Sequence, residues 1–331
     1  LFLYHTQISY PFQMGTDQRK KVHDNMTGIA LEGGAERCSF SAGVLDQLME
    51  CGFTASAVSG TSAGAGCAIN YRSAQTGISL EMMKMSRKNR YFGLQHMAQT
   101  GRFVNLDDMV ARYALQIDFP TYFSSATSID FTATCCESGL PAHLSGNHSK
   151  RQLLTALKAS CALPIICQPV EIDGLHYVDG SIADPIPFAH LLENGCSKVL
   201  VILTGREDCR PTDYRKLKPL LWKYYKKSYP KLYHAILNRI SLYEQSVHAM
   251  QRAVAEQRVF VIRPQIRPIP LFTQRHDKID VYYQHGRSLA KACWPAICDW
   301  LHADILSAAA EFQEIPATNT CFTTQTALQI F

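Results

Sequence analysis

Along most of the chain, short apolar runs alternate with segments whose apolar positions are spaced for one helix face. Ile29, Ala30 and Leu31 predict a first strand, Gly33 and Gly34 break it, and Val44, Leu45 and Leu48 line one side of a helix over 41–49. A second unit repeats this order, with a strand at Ala55, Ala57 and Val58, a turn over Gly60 to Gly64, and a helix of very small residues from Ala63 to Ile69. Alternation at Ile129, Phe131, Ala133 and Cys135 predicts another strand, turned by Gly139. Ser149 with Gln152 forms a capping box for a helix reaching about Ser160. Val170–Ile172 and Leu175–Val178 flank Asp173-Gly174, a hairpin signal. Asp184-Pro185 fits the N-cap and first turn of a helix over 186–192. Val199 to Thr204 reads as a buried strand, and Val259 to Arg263 as a short one between helices over 241–257 and 278–310. Repeated strand–helix units predict a three-layer α/β/α architecture with a mostly parallel sheet, its site at the carboxyl ends of the strands, and a C-terminal helical region.

Two of the predicted turns carry candidate chemistry. Gly60-Thr61-Ser62-Ala63-Gly64 has the spacing of a nucleophile elbow, in which a strand bends so sharply into a helix that only tiny neighbours fit and the serine oxygen is left exposed. One unit earlier, Glu32-Gly33-Gly34-Ala35-Glu36-Arg37 offers backbone N–H groups with no side chain in the way, suited to an oxyanion. The loop lacks both G-x-G-x-x-G and G-K-[ST], which argues against a nucleotide phosphate. Among the acids that could serve the serine, Asp173 belongs to the hairpin turn and Asp184 to a helix cap, whereas Asp179 ends a strand with no local structural task.

Gly33-Gly34-Ala35-x-Arg37, then Gly60-Thr61-Ser62-Ala63-Gly64, then Asp179-Gly180 resemble the patatin-like phospholipase family, in particular its bacterial cytoplasmic branch. Ala159-Ser160-Cys161-Ala162-Leu163-Pro164 and the strand 199–204 extend the resemblance, which covers roughly residues 26–206. It implies a serine acyl hydrolase acting on lipid carboxylic esters, with phospholipids as the expected substrates. In it Ser62 is the nucleophile and Asp179 the general base, and Gly33, Gly34, Ala35 and Ala63 form the oxyanion hole. Arg37 takes a supporting place, and no cofactor or metal is called for. The chain departs from the family pattern at Ala35, Cys38 and Ser181, where glycine is frequent. Alanine at 35 is mild if φ stays negative, while Cys38 could crowd the turn or demand a left-handed backbone. Two other readings compete: a Ser-His-Asp hydrolase drawing on His276, His285 or His302, and a lipid-binding or scaffolding protein with little turnover.

Composition narrows the picture. With 47% hydrophobic residues in 331, the chain can build one large α/β domain with an appended helical part. The division expected is a leader over 1–25, a catalytic core over 26–206, a mostly helical extension over 207–312 and a disordered tail over 313–331. The leader has no charge ahead of its apolar part and makes a poor signal peptide. Twelve cysteines show no C-x-x-C or zinc spacing and read as reduced thiols in a cytoplasmic protein. No apolar run is long enough for a transmembrane helix. Net charge is only +5, so nucleic acid is not an expected partner. One segment stands out: Arg215, Lys216, Lys218, Lys223, Lys226 and Lys227 interleave with Trp222 and tyrosines, the composition of a peripheral membrane contact.

Overall fold

The computed structural model describes residues 26–85 and 105–303. The expected leader and tail, and the end assigned to the last helix beyond 303, lie outside them. Eight strands form one sheet: β1 (Thr27–Leu31), β2 (Ala57–Thr61), β3 (Ser128–Cys135), β4 (Pro141–Ser145), β5 (Val170–Ile172), β6 (Leu175–Asp179), β7 (Lys198–Ile202) and β8 (Val259–Ile262). Their order is β5-β6-β3-β2-β1-β7-β8, with β4 also paired to β3. The central strands β3, β2, β1, β7 and β8 are mutually parallel. Strands β4 and β6 run antiparallel to β3, and β5 antiparallel to β6.

Both faces of this sheet are buried, and alternate residues of the same strand feed opposite cores. Ile29, Leu31, Leu200, Ile202, Phe260 and Ile262 pack with α1 (Cys38–Glu50), α2 (Ala63–Arg72), α6 (Lys150–Ser160) and α10 (His276–His302). Ala30, Val199, Val201, Val259 and Val261 pack with α7 (Phe188–Glu193) and α9 (Pro230–Ala255). This two-sided burial explains why the strands read as unbroken apolar runs. The result is a three-layer α/β/α sandwich, to which residues beyond 206 contribute the edge strand β8 and two long helices. The remaining helices are α3 (Ile78–Met85), α4 (Leu106–Ala114), α5 (Phe119–Ser124) and α8 (Lys218–Leu221).

Local signals were translated with two changes. Ser149 caps α6, and Asp173 and Gly174 both hold positive φ (51° and 79°), the primed turn of a tight hairpin. Asp184, by contrast, caps nothing: α7 begins at Phe188 behind Pro187, without a side-chain cap. Strand β4 falls where the apolar pattern predicted no element. The basic-aromatic segment is helical up to Lys226, 3₁₀ over Tyr214–Leu217, α over α8 and π over Trp222–Lys226, and Lys227 lies in the turn that follows. Tyr225 is buried there and accepts the Ile165 N–H at 2.8 Å, whereas Trp222 stays 57% exposed. Ten cysteines among the described residues are free, but Cys293 is disulfide-bonded, against the expectation of uniformly reduced thiols. No described helix is long and apolar enough to cross a membrane.

Candidate active site

The turn from β2 into α2 leaves no room for side chains. A Cβ on Gly60 would lie 2.7 Å from the Gly64 carbonyl oxygen, and one on Gly64 2.8 Å from that of Leu31. Between them Ser62 is held at φ 56°, ψ −126°, a left-handed conformation that a serine adopts only when its surroundings dictate it. Its N–H donates to Ser160 Oγ at 2.9 Å, and Ser160 in turn donates to the Thr132 carbonyl at 2.7 Å. Ser160 thus clamps the elbow from the end of α6. The sequence pattern contained Ser160 but assigned it no task.

Sheet register brings Asp179 to this turn. Strand β2 follows one edge of β3 as far as the Thr61–Thr132 pair, and β6 takes over with Asp179 opposite Ala133. Asp179 and the residue after Thr61 therefore meet where one strand hands its edge of β3 to the other. Asp179 is fully buried. Burial raises its pKa, and the Ser62 hydroxyl is the strongest opposing influence, followed by Ser181 and the charge of Arg239. Oδ1 accepts the Ser181 N–H at 2.8 Å, while Oδ2 completes no hydrogen bond of normal geometry. The hydroxyl is near the carboxyl group without being seated on it. Burial also pushes the neighbouring Cys161 thiol well up, with the Asp179 charge adding to it, so that thiol stays protonated.

The glycine loop lies against the same serine: a Cβ on Gly33 would come within 3.0 Å of Ser62 Cβ. Among the described residues the amides of Gly33, Gly34, Ala35 and Ala63 donate no hydrogen bond to the backbone. Behind the loop, buried Glu32 accepts from the Thr204 N–H (2.6 Å) and hydroxyl (3.0 Å), and that hydroxyl also reaches the Gly33 carbonyl. Burial raises the Glu32 pKa, with the Thr204 hydrogen bonds opposing. Ala35 does not keep a negative φ but sits at 48°, so the alanine is strained. Cys38 reverses the opposite concern: it is an ordinary helical residue at φ −66°, buried and directed at the Glu32 carbonyl. Arg37 is half-buried, and its Nε donates to the Ile269 carbonyl at 2.8 Å, which ties the loop to the segment before α10.

The histidines considered for a triad are engaged elsewhere. His285 packs on Phe40 and accepts the Gln265 N–H, while His276 and His302 bound the two ends of α10. None is among the groups with the largest influence on Asp179.

The fold and the elbow together define an α/β protein with a serine at the crossing of β2 and α2 and a buried aspartate beside it. Residues 29–192 match the model of the patatin-like phospholipase family, and over this segment the chain belongs to that family. Residues 229–302 match a domain of unknown function (DUF6363). An uncharacterized protein of Escherichia coli, YjjU, is 30% identical over 184 residues, 53% of this chain and 51% of that one. Lysophospholipase NTE1 of Candida albicans is 24% identical over 283 residues, covering 81% of this chain but 20% of the yeast protein. The chain thus spans about half the length of the first relative and a fifth of the second. Among solved structures, VipD from Legionella pneumophila superimposes with a TM-score of 0.43 at 11% identity, over 82% of this chain and 67% of that one.

Proposed function

We propose that the protein is a serine acyl hydrolase that cleaves carboxylic esters of lipids, phospholipids first among them, through a Ser62–Asp179 dyad. The observation that carries this reading is the strand register that sets a buried carboxyl group beside a strained, glycine-walled serine. In the first half-reaction Ser62 Oγ attacks the ester carbonyl carbon while Asp179 accepts the hydroxyl proton. The oxygen that becomes negative is held by the amides of Gly33 and Gly34, with Ala35 and Ala63 at the margins of the same hole. The ester C–O bond breaks, Asp179 gives its proton to the departing alcohol oxygen, and the acyl group stays on Ser62. Water, losing a proton to Asp179, then attacks the acyl carbonyl; the Ser62–acyl bond breaks, Ser62 regains the proton, and the fatty acid leaves. Burial supports this role for Asp179, because a raised pKa makes an aspartate a better base than it is in water.

Membrane lipid would reach the site as a surface, and the basic-aromatic segment supplies a docking face for it. Leu217, Leu220, Trp222 and Tyr224 are exposed, and Lys226 lies over the Trp222 ring at 5.4 Å. Residues 26–206 form the catalytic core in this proposal, and the extension that follows carries the surface contact.

Labelling with a fluorophosphonate probe tests the enzyme against the lipid-binding alternative. Labelling of the native protein that disappears in Ser62→Ala, at an unchanged melting temperature, is the expected outcome. A folded native protein that takes up no label overturns the reading.

A further inference from the structure

The carboxyl group of Asp179 is held by a chain of contacts that begins beyond residue 206. Strand β6 ends at Asp179, whose backbone is fixed on both sides: its N–H donates to the Ala162 carbonyl at 2.9 Å, and its own carbonyl accepts from the Thr134 hydroxyl at 2.9 Å. Gly180 then passes so close to β3 that a Cβ would collide with the Thr132 carbonyl oxygen. Only the side chain is left to set. Asp179 Oδ1 takes the Ser181 N–H at 2.8 Å, which leaves Oδ2 without a hydrogen bond of normal geometry among the described residues and available for the Ser62 proton. The orientation of the carboxyl group therefore depends on where Ser181 sits.

Ser181 is in turn held by Arg239, a half-buried residue of α9 that lies 58 positions further along the chain. Its Nε donates to the Ser181 carbonyl at 2.8 Å and its Nη1 to the Thr212 carbonyl at 3.1 Å, while the guanidinium carbon lies over the Tyr214 ring, 5.5 Å from the centroid. With two donors on carbonyls and one face on a ring, the planar guanidinium has little freedom. One turn on and on the same side of α9, Tyr243 reaches the carboxylate of Glu32, the acid behind the glycine loop, and the Glu32 charge pushes its phenol up. The helix thus addresses both halves of the site. Both residues fall in the segment 229–302 that matches the domain of unknown function.

Arg239 brings a charge as well as hydrogen bonds, and that charge opposes the effect of burial on Asp179. Cys161 and Cys167, after α6, and Tyr214, ahead of α8, also feel the Asp179 charge, and burial pushes all three up, Cys167 to about 12. They stay neutral while the carboxyl group titrates. Of these four neighbours, Arg239 alone is charged throughout.

On the Ser62–Asp179 reading, we propose that Arg239 is a positioning residue for the reaction, fixing the Ser181 turn so that Oδ1 is occupied and Oδ2 is left to Ser62, and setting a permanent positive charge behind the carboxylate. The dyad is then completed from outside residues 26–206, and α9 has a part in the site that its distance along the chain conceals.

Two substitutions in the full chain separate charge from tether: Arg239→Gln removes the charge and keeps a donor, and Arg239→Lys keeps the charge and loses the fork. The acid limb of kcat/KM should move up by about 1 pH unit in Arg239→Gln, the low end for an opposite charge near a carboxylate, and return most of the way in Arg239→Lys. kcat should fall in both at unchanged KM, since Arg239 does not touch substrate. Melting temperatures across pH give a second readout that needs no turnover. Arg239→Gln should cost more in the native background than in Asp179→Asn at alkaline pH, where the carboxylate is charged, and equally in both at acid pH, where it is protonated. Arg239→Met, which keeps the stem over Tyr214, takes its place should the glutamine variant not fold. Backgrounds that respond alike at every pH, or an acid limb that stays in place, overturn the proposal and leave the hydrolase reading intact. Coupling in a chain that takes up no fluorophosphonate label supports the Arg239–Asp179 pairing and overturns the hydrolase reading instead.

Discussion

The two βα turns of the site are built alike and secured differently. Each follows a central parallel strand, each opens into a helix packed on the same face of the sheet, and each contains a non-glycine residue at positive φ, Ala35 in one and Ser62 in the other. The Ser62 turn is closed in by Gly60 and Gly64 on contacts too short for any Cβ and by Ser160 on its N–H. The Ala35 loop is held from outside, through Glu32 on Thr204, Arg37 on the Ile269 carbonyl, and the Glu36 N–H on Leu271. Strain enforced by immediate neighbours leaves a serine no alternative conformation. Strain maintained by distant tethers can be relaxed by degrees, so substitutions in the elbow should act all-or-none and those in the loop should be graded.

The largest effect belongs to the elbow's partner. Asp179→Asn keeps the shape and removes the proposed base, and ester turnover should fall on the order of 10⁴-fold or more, comparable to losing one member of a catalytic set. The same change should stabilise the protein at neutral pH. Asp179 carries a raised pKa in the fold, so between its unfolded value and its folded value the native chain holds a proton that the unfolded chain has released. Raising the pH through that window therefore lowers stability, and asparagine abolishes the dependence. Activity should follow the opposite sign, because the proposed base must be ionised: kcat/KM should climb with pH along an acid limb centred above the ordinary aspartate value of about 3.9. Denaturation curves and pH–rate profiles for the native protein and the variant check both signs. A limb at or below the ordinary value would contradict the buried, base-like environment.

Gly34→Ala probes the loop from its tethered side. The new Cβ would meet Thr204 Oγ1 at 2.6 Å, Cβ at 3.0 Å and Cγ2 at 3.2 Å, so turning the threonine side chain exchanges one clash for another and the loop must move. Displaced amides should cost about 10²- to 10³-fold in turnover, the range for a lost oxyanion donor. Fluorophosphonate labelling should persist at a reduced rate, because Ser62 and Asp179 remain. A variant as dead as Asp179→Asn would show that the loop is not the graded member of the pair.

How much of this was legible in the sequence follows the same division between near and far. The elbow could be read because its requirements are local: small residues at 60, 63 and 64 around Ser62. Strands β1, β2 and β7 announced themselves through apolar runs buried on both faces. Asp179 could be shortlisted by elimination, but its meeting with Ser62 depends on β6 replacing β2 along the edge of β3, a register no local pattern encodes. The Glu32–Thr204 tether spans 172 positions. An acid directly after an apolar strand was its only trace. Strand β4 was out of reach because it is short and half-exposed, with only Ala142 and Leu144 alternating against His143 and Ser145, and Asp184 was misassigned because an Asp-Pro pair has the same appearance whether or not it caps a helix.

The smallest effect is the one that most sharply separates the two turns. Ala35 at φ 48° carries a left-handed penalty of about 1–2 kcal/mol that glycine would not. Glycine also adds about 0.4–1 kcal/mol of chain entropy to the unfolded state, which offsets part of the gain. Ala35→Gly should therefore stabilise the protein by roughly 0.5–1 kcal/mol, a shift of a few degrees at most in melting temperature, with turnover changed less than tenfold. The companion change Ser62→Gly would relieve similar backbone strain while removing the proposed nucleophile. Comparing the two melting temperatures measures what each turn stores: a clear rise for Ser62→Gly beside none for Ala35→Gly would mean that only the elbow is strained, and that the loop has already adjusted to its alanine.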